Sequence, residues 1–331
     1  MNRLVVVHSH MVRCGVREYG VALDRVLHRL GVQLIQHSYA DLSYAYEDVQ
    51  VGDVLLVHFE RGLVNPDYLN HYLALVKQKG PIPIVFCCHW YERSYMTVYD
   101  PFVDRYVLHK KYPAESERAV HIPLACPPYA VTDSRAVVRK RLGLPEDAVV
   151  LTTLGFLTPH KRFPDVARSM LAAMRDHSGL FLHLHTPWPF EEGVGAPEEA
   201  RVRRVLDGAG GRSLMTTGFL SERETLDTAY ASDVGFFFHW FDTGSASAAT
   251  KAFVATRRPL AITGSSHVSD LQGGILKVAG FDPDVFARDV VALALDPARR
   301  EALAQEMEGE YARLNMMVVA KQYAALFASL S

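Results

Sequence analysis

The sequence predicts an α/β protein built as two Rossmann-like, doubly wound domains, and three observations carry that reading. The chain has 331 residues, more than one hydrophobic core fills; at about 150 residues per domain, two are expected. Short apolar runs that end in glycine or polar residues alternate with stretches of helical spacing, the pattern of parallel strands covered by helices. The alternation runs from residue 3 to about residue 122, breaks at Pro123, Pro127 and Pro128, and begins again at Ala148.

In the first half, residues 3–8 (RLVVVH) form a strand. The helix after it carries Val16, Tyr19, Leu23, Val26, Leu27 and Leu30 on one face, and Gly31 closes it. Further strands are expected at 32–35, 53–59, 82–88, 104–108 and 119–122, with a helix over 66–79. In the second half, strands are expected at 148–154, 180–185, 213–217, 233–238, 259–263 and 275–278. Helices are expected at about 162–176, 197–207, 221–231, 245–256 and 283–294, and two more, 297–310 and 311–328, finish the chain. The domain plan is an N-terminal domain over 1–125, a linker over 126–147 that includes a basic helix from Ser134 to Leu142, a C-terminal domain over 148–310, and a closing helix over 311–331.

Composition narrows the class. Apolar residues make up 49% and charged residues 22%, values of a globular chain and not of a disordered one. The formal net charge is −2 and no Lys/Arg-dense arm is present, so nothing draws the whole chain to nucleic acid. Cys14, Cys87, Cys88 and Cys126 form no C-x-x-C pair and read as reduced, buried thiols. The opening MNRLVVVHSH is too short an apolar run for a signal peptide, and no run approaches the ~20 residues of a membrane span. A cytoplasmic protein is expected, with peripheral membrane association left open. Of 15 histidines, His8, His10, His58, His89, His183, His185 and His239 fall at or near strand ends. No H-E-x-x-H or other close ligand pattern appears, and no metal is expected.

The stretch from Ala148 to Phe163 (AVVLTTLGFLTPHKRF) carries the chemistry. A buried strand reaches Gly155, a short loop follows, and Lys161 and Arg162 open a helix. Free backbone N–H groups, the positive end of the helix dipole and a lysine charge together suit a phosphate. The bland alternative is an ordinary turn with a solvated Lys-Arg pair. Two such halves place the carboxyl ends of their strands, where α/β sheets bind ligands, at a shared central cleft. Neither half has G-x-G-x-x-G after its first strand, which speaks against a nicotinamide enzyme.

Motif order then resembles a known family. Cys14-Gly15-Val16-Arg17-Glu18-Tyr19 is similar to a C-G-I-x-x-Y loop. His58-Phe59-Glu60-Arg61-Gly62-Leu63 is similar to Q-x-E-x-G-L, and Gly155 to Lys161 to G-x-L-x-x-x-K-G. Thr217-Gly218-Phe219-Leu220 with Leu226, Tyr230 and Ala231-Ser232-Asp233 is similar to f-x-G-x-v followed by l-x-x-y-x-x-a-D. Together they resemble the retaining, GT-B-fold glycosyltransferases, specifically glycosyltransferase family 4. The resemblance implies transfer of a sugar from a nucleotide-sugar donor, UDP- or GDP-linked, with no metal and no other cofactor. The donor is expected on the second domain and the acceptor on the first. The acceptor is open among a saccharide, a lipid-linked saccharide, a small metabolite, a protein and a modified nucleic-acid base. The closing helix, apolar at Tyr311, Leu314, Met317, Val318, Tyr323, Leu326 and Phe327, resembles the tail that packs back on the first domain.

The resemblance assigns candidate residues. Lys161, Gly155 and Arg162 are expected at the donor diphosphate, with Gly15 approaching it from the first domain and Asp242, Thr243, Gly244 and Ser245 forming the donor loop. His89 and Glu60 are expected beside the donor sugar or acceptor, and Trp90 and Tyr91 are candidates for stacking. There are departures. The arginine of the family's G-R-L is Phe156 here, unless Arg162 replaces it. The glutamates of its E-x7-E pair fall at Phe241 and Ala249, with Asp242 and Lys251 the nearest charged residues. The second glutamate normally holds the donor ribose, so a catalytically inactive nucleotide- or sugar-binding protein is the alternative.

Overall fold

A computed structural model describes residues 3–11, 14–112, 114–188, 195–240 and 245–330 of the chain. They divide into two compact units, one made of 1–127, 243–246 and 314–331, the other of 128–242 and 247–313.

In the first unit the elements are β1 (Leu4–His8), α1 (Gly15–Arg29), β2 (Leu34–Ser38), α2 (Leu42–Asp48), β3 (Val54–Phe59), α3 (Pro66–Gln78), β4 (Ile84–Cys88), the single turn α4 (Arg93–Met96), β5 (Arg105–Leu108) and β6 (Ala119–His121). The strands form one sheet in the order β2-β1-β3-β4-β5-β6, parallel throughout. Every residue of β1, β3 and β4 is buried, which is why these strands read as unbroken apolar runs. Asn65 caps α3, accepting from Asp67 N–H at 2.9 Å with Pro66 in the first turn. Helix α2 escapes sequence periodicity because it spans only 7 residues and buries only Leu42 and Ala45.

The second unit contains α5 (Arg135–Leu142), β7 (Val149–Leu154), α6 (Phe163–Ala173), β8 (Leu180–His185), α7 (Ala196–Leu206), β9 (Ser213–Thr216), α8 (Glu222–Ala231), β10 (Val234–Phe237), α9 (Ala248–Thr256), β11 (Leu260–Thr263), β12 (Ile275–Val278), α10 (Pro283–Leu295) and α11 (Pro297–Leu314). Its sheet is also parallel, in the order β12-β11-β10-β7-β8-β9. Two six-stranded parallel sheets flanked by helices are the α/β architecture expected from the alternation.

Two boundaries differ from the sequence reading. Helix α5, inside the stretch read as linker, is an integral part of the second unit. Its Arg139 donates to Asp233 at 2.6 Å and to the carbonyls of Ala231 and Ala148, and Val138 packs with Leu144, Val150 and Ala231. Asp233 also accepts from Val150 N–H at 2.6 Å, tying β10 to β7. Burial opposes the charge on Asp233, but Arg135 and Arg139 with the Val150 N–H hold its carboxyl below the usual range. The second difference lies at α9, which starts at Ala248 instead of 245 because Ser245 is drawn into an antiparallel bridge with Trp90 in the first unit.

The last helix, α12 (Met316–Ser329), belongs to the first unit. Its Met316, Val319, Ala320, Tyr323 and Phe327 pack with Tyr19, Leu23 and Leu27 of α1. Phe327→Ala is therefore expected to lower unfolding stability by about 3–5 kcal/mol, as burying a phenyl and then leaving a cavity requires. Met317→Ala, on the exposed side of the same helix, is expected to change it by less than about 0.5 kcal/mol. Urea midpoints of the two variants test this, and equal effects would refute the packing assignment.

Candidate functional site

In the second unit, chain order reverses between β7 and β10, which are paired neighbours. In an open parallel sheet that switch point leaves a crevice at the carboxyl ends. A small cavity lies there, lined by Thr153, Lys161, Phe163, Phe236, Phe238 and His239. Gly155 follows β7 at φ +132°, a backbone state that side chains rarely adopt. A Cβ on Gly155 would stand 2.5 Å from Lys161 Nζ, so the glycine is what lets the ammonium fold over the strand end. Among the described residues the Lys161 ammonium has no hydrogen-bond or ion-pair partner; it lies 5.9 Å from the centre of the Phe163 ring. Burial lowers its pKa to about 8. A cation held in an apolar setting without a counter-charge is poised for an anion.

Arg162 sits next in sequence but is turned elsewhere. Its backbone is left-handed at φ 51°, its guanidinium pairs with Asp165 at 2.9 Å and lies over the Trp240 ring at 5.1 Å. It lines a larger, open groove of about 440 Å³ along α6 and α7, with Arg168, Arg201 and Arg204, not the cavity of Lys161. Size favours the groove, but only the smaller cavity lies at the strand ends with the unpartnered cation. Asp242, Thr243 and Gly244 lie outside the described residues. Ser245 is placed on the first unit by its bridge to Trp90. Lys251, near the second glutamate position, is sealed in an ion pair with Asp270 at 2.8 Å, the side chains 2% and 3% exposed.

In the first unit the switch point falls between β1 and β3. Gly15 opens α1, Cys14 supplies no side-chain cap, and a Cβ on Gly15 would meet none of the described residues within 4 Å. Glu60 follows β3. Its neighbour Arg61 lies over Trp90 at 5.3 Å and Tyr95 at 5.1 Å, and Arg93 pairs with Asp100 at 2.8 Å. Partly buried and without a cation beside it, the Glu60 carboxyl is pushed up to about 8. Tyr91 is not a surface for stacking: it is buried, and its hydroxyl accepts from Ser116 N–H at 2.9 Å.

His89 is 8% exposed and belongs to a cluster that sequence reasoning did not assemble. His8 ends β1, His58 lies near the end of β3, and His89 and His109 directly follow β4 and β5. Parallel register brings them together; His58 pairs in register with Cys87. Burial first, then the neighbouring imidazoles, hold His58 and His89 well below the usual histidine range. The signal was present as histidines at successive strand ends, but their convergence needed the strand order.

No model of a known protein family matches the sequence, and no curated protein matches it. Solved structures do match in fold. HepE of Anabaena in complex with UDP and glucose is 9% identical, covers 99% of this chain and 100% of its own, and superposes with a TM-score of 0.77. Sucrose-phosphate synthase from Thermosynechococcus elongatus is 14% identical over 100% and 99% of the two chains, TM-score 0.75. A UDP-forming α,α-trehalose-phosphate synthase from Burkholderia xenovorans is 13% identical over 100% and 99%, TM-score 0.71. The chain thus has the GT-B fold, the two-Rossmann-unit architecture of these glycosyltransferases.

Strand β8 carries two further histidines at its carboxyl half, both buried. Burial lowers His183 to about 3 and His185 to about 4, the latter against the opposing pull of Glu224. Their folded values lie below the unfolded value of about 6.5, so the unfolded chain takes up protons first as pH falls. Stability is complete above about pH 6.5 and is lost at roughly 1.4 kcal/mol per pH unit for each histidine on the way to pH 4. Urea unfolding of the parent and His183→Gln at several pH values is expected to show a shallower slope in the variant; equal slopes would refute the assignment.

Proposed function

We propose that this chain is a retaining glycosyltransferase that moves a sugar from a nucleoside-diphosphate sugar to an acceptor hydroxyl. The observation that carries the reading is Lys161, an ammonium without a counter-charge among the described residues, folded over Gly155 at the switch point of the second unit. A diphosphate supplies the missing charge. As the bond from the sugar's anomeric carbon to the diphosphate oxygen breaks, negative charge grows on that oxygen, and Lys161 stabilises it. The acceptor oxygen bonds to the same carbon on the same face, and its proton passes to the departing phosphate oxygen. No protein base and no metal are assigned to this step.

Glu60 is assigned the acceptor. Its raised carboxyl is largely protonated at neutral pH, able to donate to or accept from a sugar hydroxyl. His89 has Nε2 directed at His58 Nδ1 and Cys87 Sγ, so we assign it to positioning within the first unit and not to the reacting atoms. The structural likeness to HepE, seen with UDP and with UDP-glucose, and to a UDP-forming synthase favours UDP among the donors.

One observation favours a second reading, a GT-B-fold protein that binds a nucleotide or nucleotide sugar without transferring it. The start of α9 offers Ala249 where a carboxylate would hold a ribose, and Lys251 nearby is occupied by Asp270. Donor binding without transfer to any acceptor would select it.

Thermal unfolding with UDP, GDP, ADP, TDP and NAD tests the donor site. A nucleotide at a hundredfold excess over its Kd raises stability by about 2.7 kcal/mol. UDP is expected to shift the parent protein and not Lys161→Ala; no shift with any nucleotide, or a shift that survives the substitution, would overturn the assignment. Glu60→Ala is expected to leave the UDP shift intact and to lower kcat with a chosen acceptor by about tenfold, the worth of one lost hydrogen bond to the acceptor, and Glu60→Gln is expected to keep most of the activity. A kcat of Glu60→Ala equal to the parent's would remove Glu60 from the acceptor site.

A further inference from the structure

The histidine cluster of the first unit has the composition and spacing of a metal site. One ligand atom each from His58, Cys87 and His89 lie within 4.8 Å of one another, and all three residues are buried. His58 Nδ1 stands 3.1 Å from His89 Nε2, and Cys87 Sγ stands 3.6 Å from the same Nε2. In a tetrahedral zinc site, with Zn–N about 2.0–2.1 Å and Zn–S about 2.3 Å, the ligand atoms are separated by roughly 3.4 Å for two nitrogens and roughly 3.5 Å for nitrogen and sulfur.

A fourth donor and a hydroxyl lie beside the same sulfur. His109 Nδ1 lies 3.0 Å from the Ile122 carbonyl and must carry the proton there, which makes its Nε2 an acceptor. That Nε2 is also 3.6 Å from Cys87 Sγ, so the thiol stands between two imidazole nitrogens, those of His89 and His109. Buried atoms nearby, His58 Nε2, His8 Nδ1 and Asp24 Oδ1, have no hydrogen-bond partner.

We propose that His58 Nδ1, Cys87 Sγ and His89 Nε2 hold a divalent transition-metal ion, zinc by preference, in a structural site that belongs wholly to the first unit. Imidazole and thiolate donors select zinc and its neighbours over magnesium or calcium. Binding exchanges the Cys87 thiol proton for the metal: a metal–sulfur bond forms, one proton leaves to solvent, and no electron is transferred. The thiolate and the dication leave one net positive charge. The Asp24 carboxylate, held by His8 Nε2 and Gln36 Nε2 at 2.7 Å each, supplies the opposite charge in the same cluster. Tyr323 of α12, its hydroxyl 3.1 Å from Cys87 Sγ, supports the thiolate, and His109 Nε2 is the nearest candidate for a fourth ligand. The inference does not rest on sugar transfer, which is assigned to other residues.

The test uses the full chain, freed of any affinity tag, stripped with chelator and titrated with cobalt(II) as the probe. The parent is expected to bind one equivalent with a near-ultraviolet thiolate-to-cobalt charge-transfer band and strong visible bands of tetrahedral cobalt, all displaced by zinc. Cys87→Ser is expected to lose the charge-transfer band and to bind about tenfold more weakly or worse. Cys88→Ser, whose sulfur faces the Phe86 carbonyl, is expected to keep both. A parent without a stoichiometric charge-transfer band overturns the proposal, whatever the variants do. So does a band that survives Cys87→Ser.

Discussion

Parallel strand pairing is the constraint on which the rest of the structure depends. In a parallel sheet every carboxyl end lies along the same edge, and a crossover helix returns the chain each time. Six such strands in each unit gather the strand-end residues into a row. In the first unit that row is His8, His58, His89 and His109; in the second it is Gly155, His185 and His239. Residues far apart in sequence become neighbours because of register, not through any local motif.

The two edges are used differently. In the second unit a glycine removes the one side-chain atom that would occupy the space of the Lys161 ammonium, and among the described residues the surrounding phenyl rings leave the cation without a counter-charge. Isolated charge in an apolar setting is expensive unless a partner arrives, which makes the position suited to a transient anion. By contrast, Lys251 is also buried but permanently matched to Asp270, so it stabilises the unit and is not available to a ligand. In the first unit the polar row is buried, with α1 and α12 packed on the same core. Gly20 of α1 is required there, because a Cβ would stand 2.5 Å from His8 Nδ1.

Asp233 shows why a motif position need not be a site. It falls in the a-D pattern of the resemblance, yet its carboxylate is consumed by Arg135, Arg139 and Val150 N–H. Its work is to fix β10 beside β7, and so to set the geometry of the crevice where Lys161 lies. Glu60 is the converse: the neighbouring Arg61 engages Trp90 and Tyr95, and among the described residues no ion pair holds the Glu60 carboxyl.

The sequence by itself determined the α/β alternation, the strands to within about two residues at most ends, and the strand–glycine–lysine stretch, because period, burial and turn chemistry are local properties. The assignment of α5 to the second unit and of Ser245 to the first needed tertiary structure, since both depend on partners remote in the chain, Asp233 and Trp90. So did the separation of Lys161 from Arg162: they are adjacent in sequence, but a left-handed backbone at Arg162 sends their side chains to different surroundings. The cluster of His58, Cys87 and His89 was hidden most deeply, because its ligand spacing exists only across paired strands, where hydrogen-bond register replaces sequence distance.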